Sequence, residues 1–595
     1  MTSKATEYYL VTTANENSWD RSKKILFLGE WCCAYSKKKD LAALDYSVVS
    51  PFSSTSDERK ESIDFVVGKT KEFLNFATEA LNKYHGTSHS SRYWDIVLGH
   101  WLRRYVSIIY NRYFTLQKAL QNYEVAETAT VCYKNYALVT GGSSNFLSKA
   151  SEDEWNMILF DELLKITNSH SLSKSRTINV LIGDEAVAVR KNKGAKLLVK
   201  TFVSSVMKHF TRDSDSLILS SYLGAVREAL LKLSLFEVPL GHLNVSQLTQ
   251  VDFSAIKLDE NFRDEMTHAL DALSSFDEVL RYMFMKLLPI CFLEGYAELL
   301  RKVEHSGWPK HPKFIFTSNE FDTNEIFKLY AGHHSEKGRA YFVGQHGNSY
   351  GTHHDGLNWP ETDSSDKFFT WGWSEGNAIP AFSFNKHILA KKIKPKKDGI
   401  LLLVENALPQ RLEPYDTTYE YGEYQSEQFR FIRSLKSNIH ESILVRLFRE
   451  YANRNWHEDL RWRDEASHIQ FDNGVAPFMT SVKKSRLAVF SFDTTGILEL
   501  MALNFPLICF WRGGTSHVND SAKPYYDLLM EVGILHDSPE SAANKVNEVW
   551  DHIDGWWLRK DVQDARVRFC DRYARQSVHP VKELKKLLSN TAYTN

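Results

Sequence analysis

Residues 486–504, RLAVFSFDTTGILELMALN, hold the densest set of groups suited to gripping an anion. An apolar strand runs into Ser491, Asp493, Thr494, Thr495 and Gly496, and a helical pattern starts at once. The first N–H groups of such a helix have no partner within it. With the helix dipole and the neighbouring hydroxyls they form a seat for phosphate. Glu499, about one turn further in, is placed to accept hydrogen bonds from vicinal ribose hydroxyls. The same residue types also cap helices without any ligand, Asp493 or Thr494 being ordinary N-cap residues.

A second constellation is GQHGNSYGTHHDG, residues 344–356, directly after the strand-like RAYFV. Gly344, Gln345, Gly347, Asn348 and Ser349 make a polar loop at a strand's C-terminal edge, where open α/β sheets bind their ligands. His346, between two glycines, is a candidate general base or phosphate donor, or else a loop histidine that bonds locally. Glu30 follows Gly29 at the end of the apolar run ILFL, where a carboxylate either faces a cleft as a base or serves as a cap or surface charge. Glu405 ends the strand ILLLV, and Arg446 lies within ILVRLF. An arginine among apolar neighbours is costly to bury alone, so Arg446 should meet a carboxylate such as Asp472 or Glu405, or a ligand phosphate.

The histidine pairs His333 with His334 and His353 with His354, the latter beside Asp355, raise metal binding. Neither pair has the i, i+4 helical spacing of HExxH, and adjacent side chains on an extended segment point to opposite faces, so no metal site is expected. The DSD at 213–215 precedes a strand and reads as a turn.

These groups must be positioned by strands and helices that alternate. Buried-strand runs occur at ILFL, SLILSSYL (216–223), KFIFTSN (313–319), RAYFVGQHG (339–347), ILLLVEN (400–406), ILVRLF, HIQF (468–471), RLAVFS and PLICFW (506–511), with helical periodicity between them. Residues 58–170 are helix-rich. The basic, Pro-containing FNKHILAKKIKPKKDG at 384–399 marks a domain boundary, giving an N-terminal domain over 1–390 and a C-terminal one over 398–595. The expected fold is α/β: two Rossmann-type doubly wound domains facing a cleft, the first with large helical insertions.

At 595 residues, with 43% hydrophobic and 13% aromatic content, the chain has material for more than one core. A net charge of -1 gives no global field toward nucleic acid, so any anion site is local. Six cysteines without a CxxC pair fit a reduced compartment. No signal-peptide core and no run of roughly 18 apolar residues appear, which points to the cytoplasm. The stretch Tyr93–Leu120 mixes aromatics with arginines, which suits either peripheral contact with the inner membrane or a packed amphipathic helix, the second reading being preferred.

Taken together, LFLGEWCCAYS (26–36), the Trp94–Leu120 helix, FLEGYAEL (292–299), GQHGNSYG (344–351), WGW (371–373), VRLF (445–448), FDNG (471–474) and FDTTGILELMALNFPLICFW (492–511) resemble bacterial transferases of O-antigen and other surface-polysaccharide loci. The resemblance implies a GT-B glycosyltransferase fold, a nucleotide-sugar donor held by the second domain and a glycan or lipid-linked acceptor, such as lipopolysaccharide, held by the first. It implies phosphate contact at Thr494 and Thr495 and ribose contact at Glu499. Gly29-Glu30 is similar to the glycine-glutamate of transferases using CMP-activated ulosonic acids, where the glutamate is the base; His346 is its rival here. No cofactor beyond the donor is implied. The competing readings are a metal-dependent phosphoesterase built on the histidine-rich loop 333–355 and a non-catalytic polysaccharide-binding protein.

Overall fold

The computed structural model describes residues 7–167, 172–182, 212–238, 251–253, 255–268, 273, 275–356, 358–385, 393–406, 408–411, 421–454 and 456–592. Its strands form three wholly parallel sheets. The first contains β1 (Tyr8–Val11), β2 (Ile25–Phe27), β3 (Tyr46–Val48), β4 (Val125–Cys132) and β5 (Ser173–Asn179) in the order β3-β2-β1-β4-β5. The second contains β6 (Leu217–Leu219), β7 (Phe314–Thr317), β8 (Ala340–Gly344), β9 (Lys367–Thr370) and β10 (Ala378–Pro380), in simple sequential order. The third contains β11 (Ile400–Val404), β12 (Ile443–Arg446), β13 (Gln470–Asp472), β14 (Ser485–Phe490), β15 (Leu507–Phe510) and β16 (Leu535–His536), ordered β13-β12-β11-β14-β15-β16.

The first and third sheets are doubly wound, with the strand order reversing beside β1 and beside β11. The second is not. Three of its strands, β6, β7 and β8, fall on the apolar runs at 216–223, 313–319 and 339–347, but they form a sheet of their own, so residues 1–390 carry two sheets where one doubly wound sheet was expected. The boundary expected at 384–399 lies partly outside the described residues, at 386–392.

Leu401, Leu402 and Leu403 of β11 are completely buried, because a parallel strand covered on both faces can expose neither set of its side chains. Two long helices pack on each other. Helix α1 (Ser56–His85) begins with a Thr55–Glu58 capping box, and α2 (Ser91–Asn122) with the Ser90 hydroxyl accepting from the Tyr93 N–H at 3.2 Å. Trp94, Trp101 and Tyr105 of α2 are at 0% exposure and Arg103 at 1%, so this part of the helix is core. Among the described residues no helix is long and apolar enough to cross a membrane. The six cysteines are free thiols.

The chain's last helices return to the N-terminal part. Helix α9 (Pro580–Ala592) packs on α3 (Ala225–Ser234). Just before it, the Arg575 N–H donates to the Trp371 carbonyl at 2.8 Å and the Arg575 carbonyl accepts from Ser383 at 2.7 Å.

Candidate functional site

Helix α6 (Thr495–Ala502) follows β14 after a four-residue turn, and its N-cap, Thr494, makes no side-chain capping bond. Gly496 is required there, since a Cβ would stand 2.8 Å from the Phe490 ring. Beside this helix start lies a cavity of about 260 Å³ lined by Val404, Pro477, Phe478, Met479, Phe490, Thr494, Gly496 and Glu499. Val404 ends β11 and Phe490 ends β14, so the cavity sits at the carboxyl ends of the two strands that flank the topological switch point. Ligands of open α/β sheets bind at such points.

Glu499 accepts a hydrogen bond from Asn385. Burial outweighs that bond and pushes its carboxyl up to about 7. Asp493 behaves in the opposite way. Burial would raise it, but hydrogen bonds from His353 (3.2 Å) and His517 (3.0 Å), with their charges, hold it far below the usual carboxylate range. Tyr526 at 2.7 Å and the Asn348 amide at 2.6 Å also donate to it. Asp493 is thus bound within the protein and does not line the cavity.

The loop 344–356 is docked on this turn. The Asn348 N–H donates to the Thr495 hydroxyl oxygen at 2.9 Å, and a Cβ on Gly347 would lie 3.1 Å from that oxygen, a tight contact. Residues 352–354 run against 517–519, with Asn519 N–H donating to Thr352 (2.8 Å) and His354 N–H to His517 (3.0 Å). Gln345 shapes the loop and is fully engaged. Its side-chain carbonyl accepts from Trp371 N–H and Trp373 Nε1, both at 2.9 Å, and its amide donates to the Gly347 carbonyl at 2.9 Å. Gly344 is pressed against Ser318 and Phe384, and Ser349 has a left-handed φ of 77° at the loop's bend.

His346 sits where Tyr222, Phe321 and Tyr350 surround it, and burial lowers its pKa against the pull of Glu361 and Asp322. Its Nδ1 is 3.3 Å from the Tyr350 hydroxyl, which donates to Glu361; the other oxygen of Glu361 is 3.0 Å from His100 Nε2. The charged imidazole that proton uptake would create therefore has a buried carboxylate one hydroxyl away.

Glu30 lies at another seam. Its carboxylate accepts from Gly422 N–H at 2.8 Å, at the start of α5 (Tyr421–Arg433) beside the third sheet. Burial raises its pKa against that bond and against Arg461. Among the described residues no hydrogen bond or ring contact joins Glu30 to His346.

Arg446 and Glu405 are held by the protein's own groups, Arg446 by the carboxylate of Asp472 that the sequence offered as its partner. Arg446 reaches Asp472, Ser481 (3.1 Å) and the carbonyls of Gly474 (3.2 Å) and Ala476 (2.6 Å), so its guanidinium is consumed in holding the 472–476 turn. Glu405 accepts from Trp462 Nε1 at 3.1 Å, and burial raises it to about 8, leaving it neutral at pH 7. Ser491 is joined to the Tyr424 hydroxyl at 2.7 Å and faces the Val404 carbonyl at 3.3 Å. The DSD segment is a turn in which Asp215 accepts from Arg212 N–H at 3.0 Å.

Of the four paired histidines, His353 alone meets a carboxylate of the 491–496 turn; His354 contacts Asp64 at 2.9 Å, and His334 packs on Tyr330. His517 and Tyr526 were not singled out in the sequence, since each lies alone in a loop or helix pattern.

No curated protein matches the chain. Among solved structures it is similar to the wall teichoic acid polymerase TagF, at 10% identity over 50% of this chain and 84% of that one, with a TM-score of 0.29. The glycosyltransferase SnogD from Streptomyces nogalater is similar at 11% identity over 63% and 99%, TM-score 0.29. The spinosyn rhamnosyltransferase SpnG is similar at 9% over 49% and 76%, TM-score 0.25. Residues 8–588 match the profile of a transferase family, nearly the whole length of the sequence. The chain belongs to the LIC12162 family of transferases.

Proposed function

We propose that this transferase is a GT-B-type glycosyltransferase that binds a nucleotide-activated sugar in the cavity beneath α6 and passes the sugar to a glycan or lipid-linked acceptor. The supporting observation is the cavity itself: it combines an uncapped helix start, the Thr494 hydroxyl and an acidic side chain one turn away at a sheet's switch point. The phosphate oxygens take the N–H groups at the start of α6, and Glu499 takes the ribose hydroxyls. The acceptor approaches from the side of loop 344–356.

In the reaction the acceptor oxygen attacks the anomeric carbon while the bond from that carbon to the donor phosphate breaks. The acceptor's proton passes to His346, which is neutral at pH 7, and the resulting positive charge is shared through Tyr350 with Glu361. The leaving phosphate carries its charge toward the helix start, so no ion is needed at the phosphate. Glu30 remains the rival base, and Gly29-Glu30 is the feature that favours a CMP-activated ulosonic acid as donor.

The two bases are separated by measuring nucleotide release in the presence of acceptor. His346→Ala should lower turnover by about 10²–10⁴-fold with nucleotide affinity retained, while Glu30→Gln keeps turnover within a few-fold of the parent. The opposite pattern assigns the base to Glu30. Absence of nucleotide release from every donor, with glycan binding intact, overturns the enzyme reading.

A further inference from the structure

We propose that His353, Asp493 and His517 form a binding site for one divalent transition-metal ion of the zinc class, which staples loop 344–356 to the turn before α6 and to the loop after β15.

The ligand atoms come from three separate segments and lie within 4.8 Å of one another. Both imidazoles present Nε2 to the same carboxylate oxygen, at 3.2 and 3.0 Å. Two ligand atoms each roughly 2.0–2.1 Å from a tetrahedral zinc stand about 3.3 Å apart, close to this spacing. The side chains are 12%, 2% and 14% exposed, so an ion there would be shielded from water. Nitrogen and carboxylate donors of this kind suit zinc and its neighbours rather than magnesium or calcium.

Crowding at Asp493 is the independent sign. Its Oδ2 faces His353, His517 and the Tyr526 hydroxyl at 2.7 Å, three donors on an oxygen with two lone pairs. An ion between the imidazoles and the carboxylate replaces two converging N–H groups with two nitrogen lone pairs and relieves this excess. The supporting shell is present as well. Tyr526 and the Asn348 amide, 2.6 Å from the other oxygen, fix the carboxylate's orientation, as partners of metal ligands do. None of the three ligands lines the 260 Å³ cavity, so the ion would hold the loops in register and take no part in sugar transfer. The inference therefore stands apart from the proposed activity.

The test uses the full chain, stripped with chelator and titrated with Zn²⁺ and, separately, Co²⁺. One equivalent should bind, with a rise in melting temperature and a visible ligand-field band for cobalt. His353→Gln and His517→Asn keep an amide donor toward Asp493 and should lose the bound equivalent; His354→Ala, next in sequence but paired with Asp64, should keep it. No saturable binding and no cobalt band in the wild-type chain overturns the proposal and leaves a hydrogen-bonded clasp. Retention of the equivalent in both amide variants overturns it too, assigning the metal to another part of the surface. Absence of the wild-type cobalt band overturns the proposal whatever the variants do, so poor folding of a variant does not rescue the idea.

Discussion

Asp493 and Glu499 share one strand-turn-helix unit, six positions apart, and both carboxyl groups are withdrawn from water, yet their acidities are driven in opposite directions. Asp493 is met by two imidazoles, a phenol and an amide and is held as an anion. Glu499 is met by one asparagine amide and rises to about 7. Burial alone does not decide what a carboxylate does; the donors supplied by other segments do. One carboxylate is spent on joining loops, and the other is left with acceptor capacity facing a cavity.

The largest effect expected from breaking this contrast is at the satisfied end. Asp493→Ala leaves two histidines and a tyrosine without their shared acceptor and should cost about 3–5 kcal/mol of unfolding free energy at pH 7, read from denaturant melts. A loss below 1 kcal/mol would mean that the cluster does not hold the loops. Glu499→Gln should act in the other direction. A carboxyl raised from its ordinary 4.5 to about 7 is favoured by the fold only when neutral, so it costs stability progressively as pH climbs through that interval and fully above it. The glutamine variant should therefore match the parent below pH 4.5 and exceed it above pH 7 by at most about 3 kcal/mol.

A smaller effect sharpens the comparison through the ligand. In the proposed donor site, ribose hydroxyls donating to Glu499 would stabilise its anion, so nucleotide binding should release a proton from the carboxyl. Affinity should rise with pH by up to about tenfold per unit below pH 7 and level off above it, while Glu499→Gln stays flat over the same range. Calorimetry in buffers of different ionisation enthalpy measures the proton directly.

Much of this was legible in the sequence, for identifiable reasons. The runs ILLLV, LAVF and PLICFW are apolar throughout because parallel strands are buried on both faces, so the third sheet and its loop-to-helix turn could be read directly. β1 and β4 were harder to read: YYLV is a short apolar run with no glycine turn after it, and VAETATVC interleaves polar with apolar positions. Three strands of the second sheet were marked by the runs SLILSSYL, KFIFTSN and RAYFVGQHG, while β9 (KFFT) and β10 (AIP) are only four and three residues long and were not. In the site, the turn 493–496 announced itself because its parts are contiguous. The partners that decide the state of Asp493 are 140 residues upstream at His353 and 24 and 33 downstream at His517 and Tyr526, which no local pattern encodes. Gln345 read as a loop polar residue because its tryptophan partners lie 26 and 28 residues away.

The central claim, that the face of α6 bearing Glu499 holds the nucleotide, is tested most directly by titration calorimetry. A thermal-shift screen of CMP, CDP, UDP, GDP and dTDP selects the ligand, which is then titrated into the wild-type chain and Glu499→Ala. Glu499→Ala should bind at least tenfold more weakly with its melting temperature retained, whereas equal affinity in the two proteins would remove Glu499 from the nucleotide site.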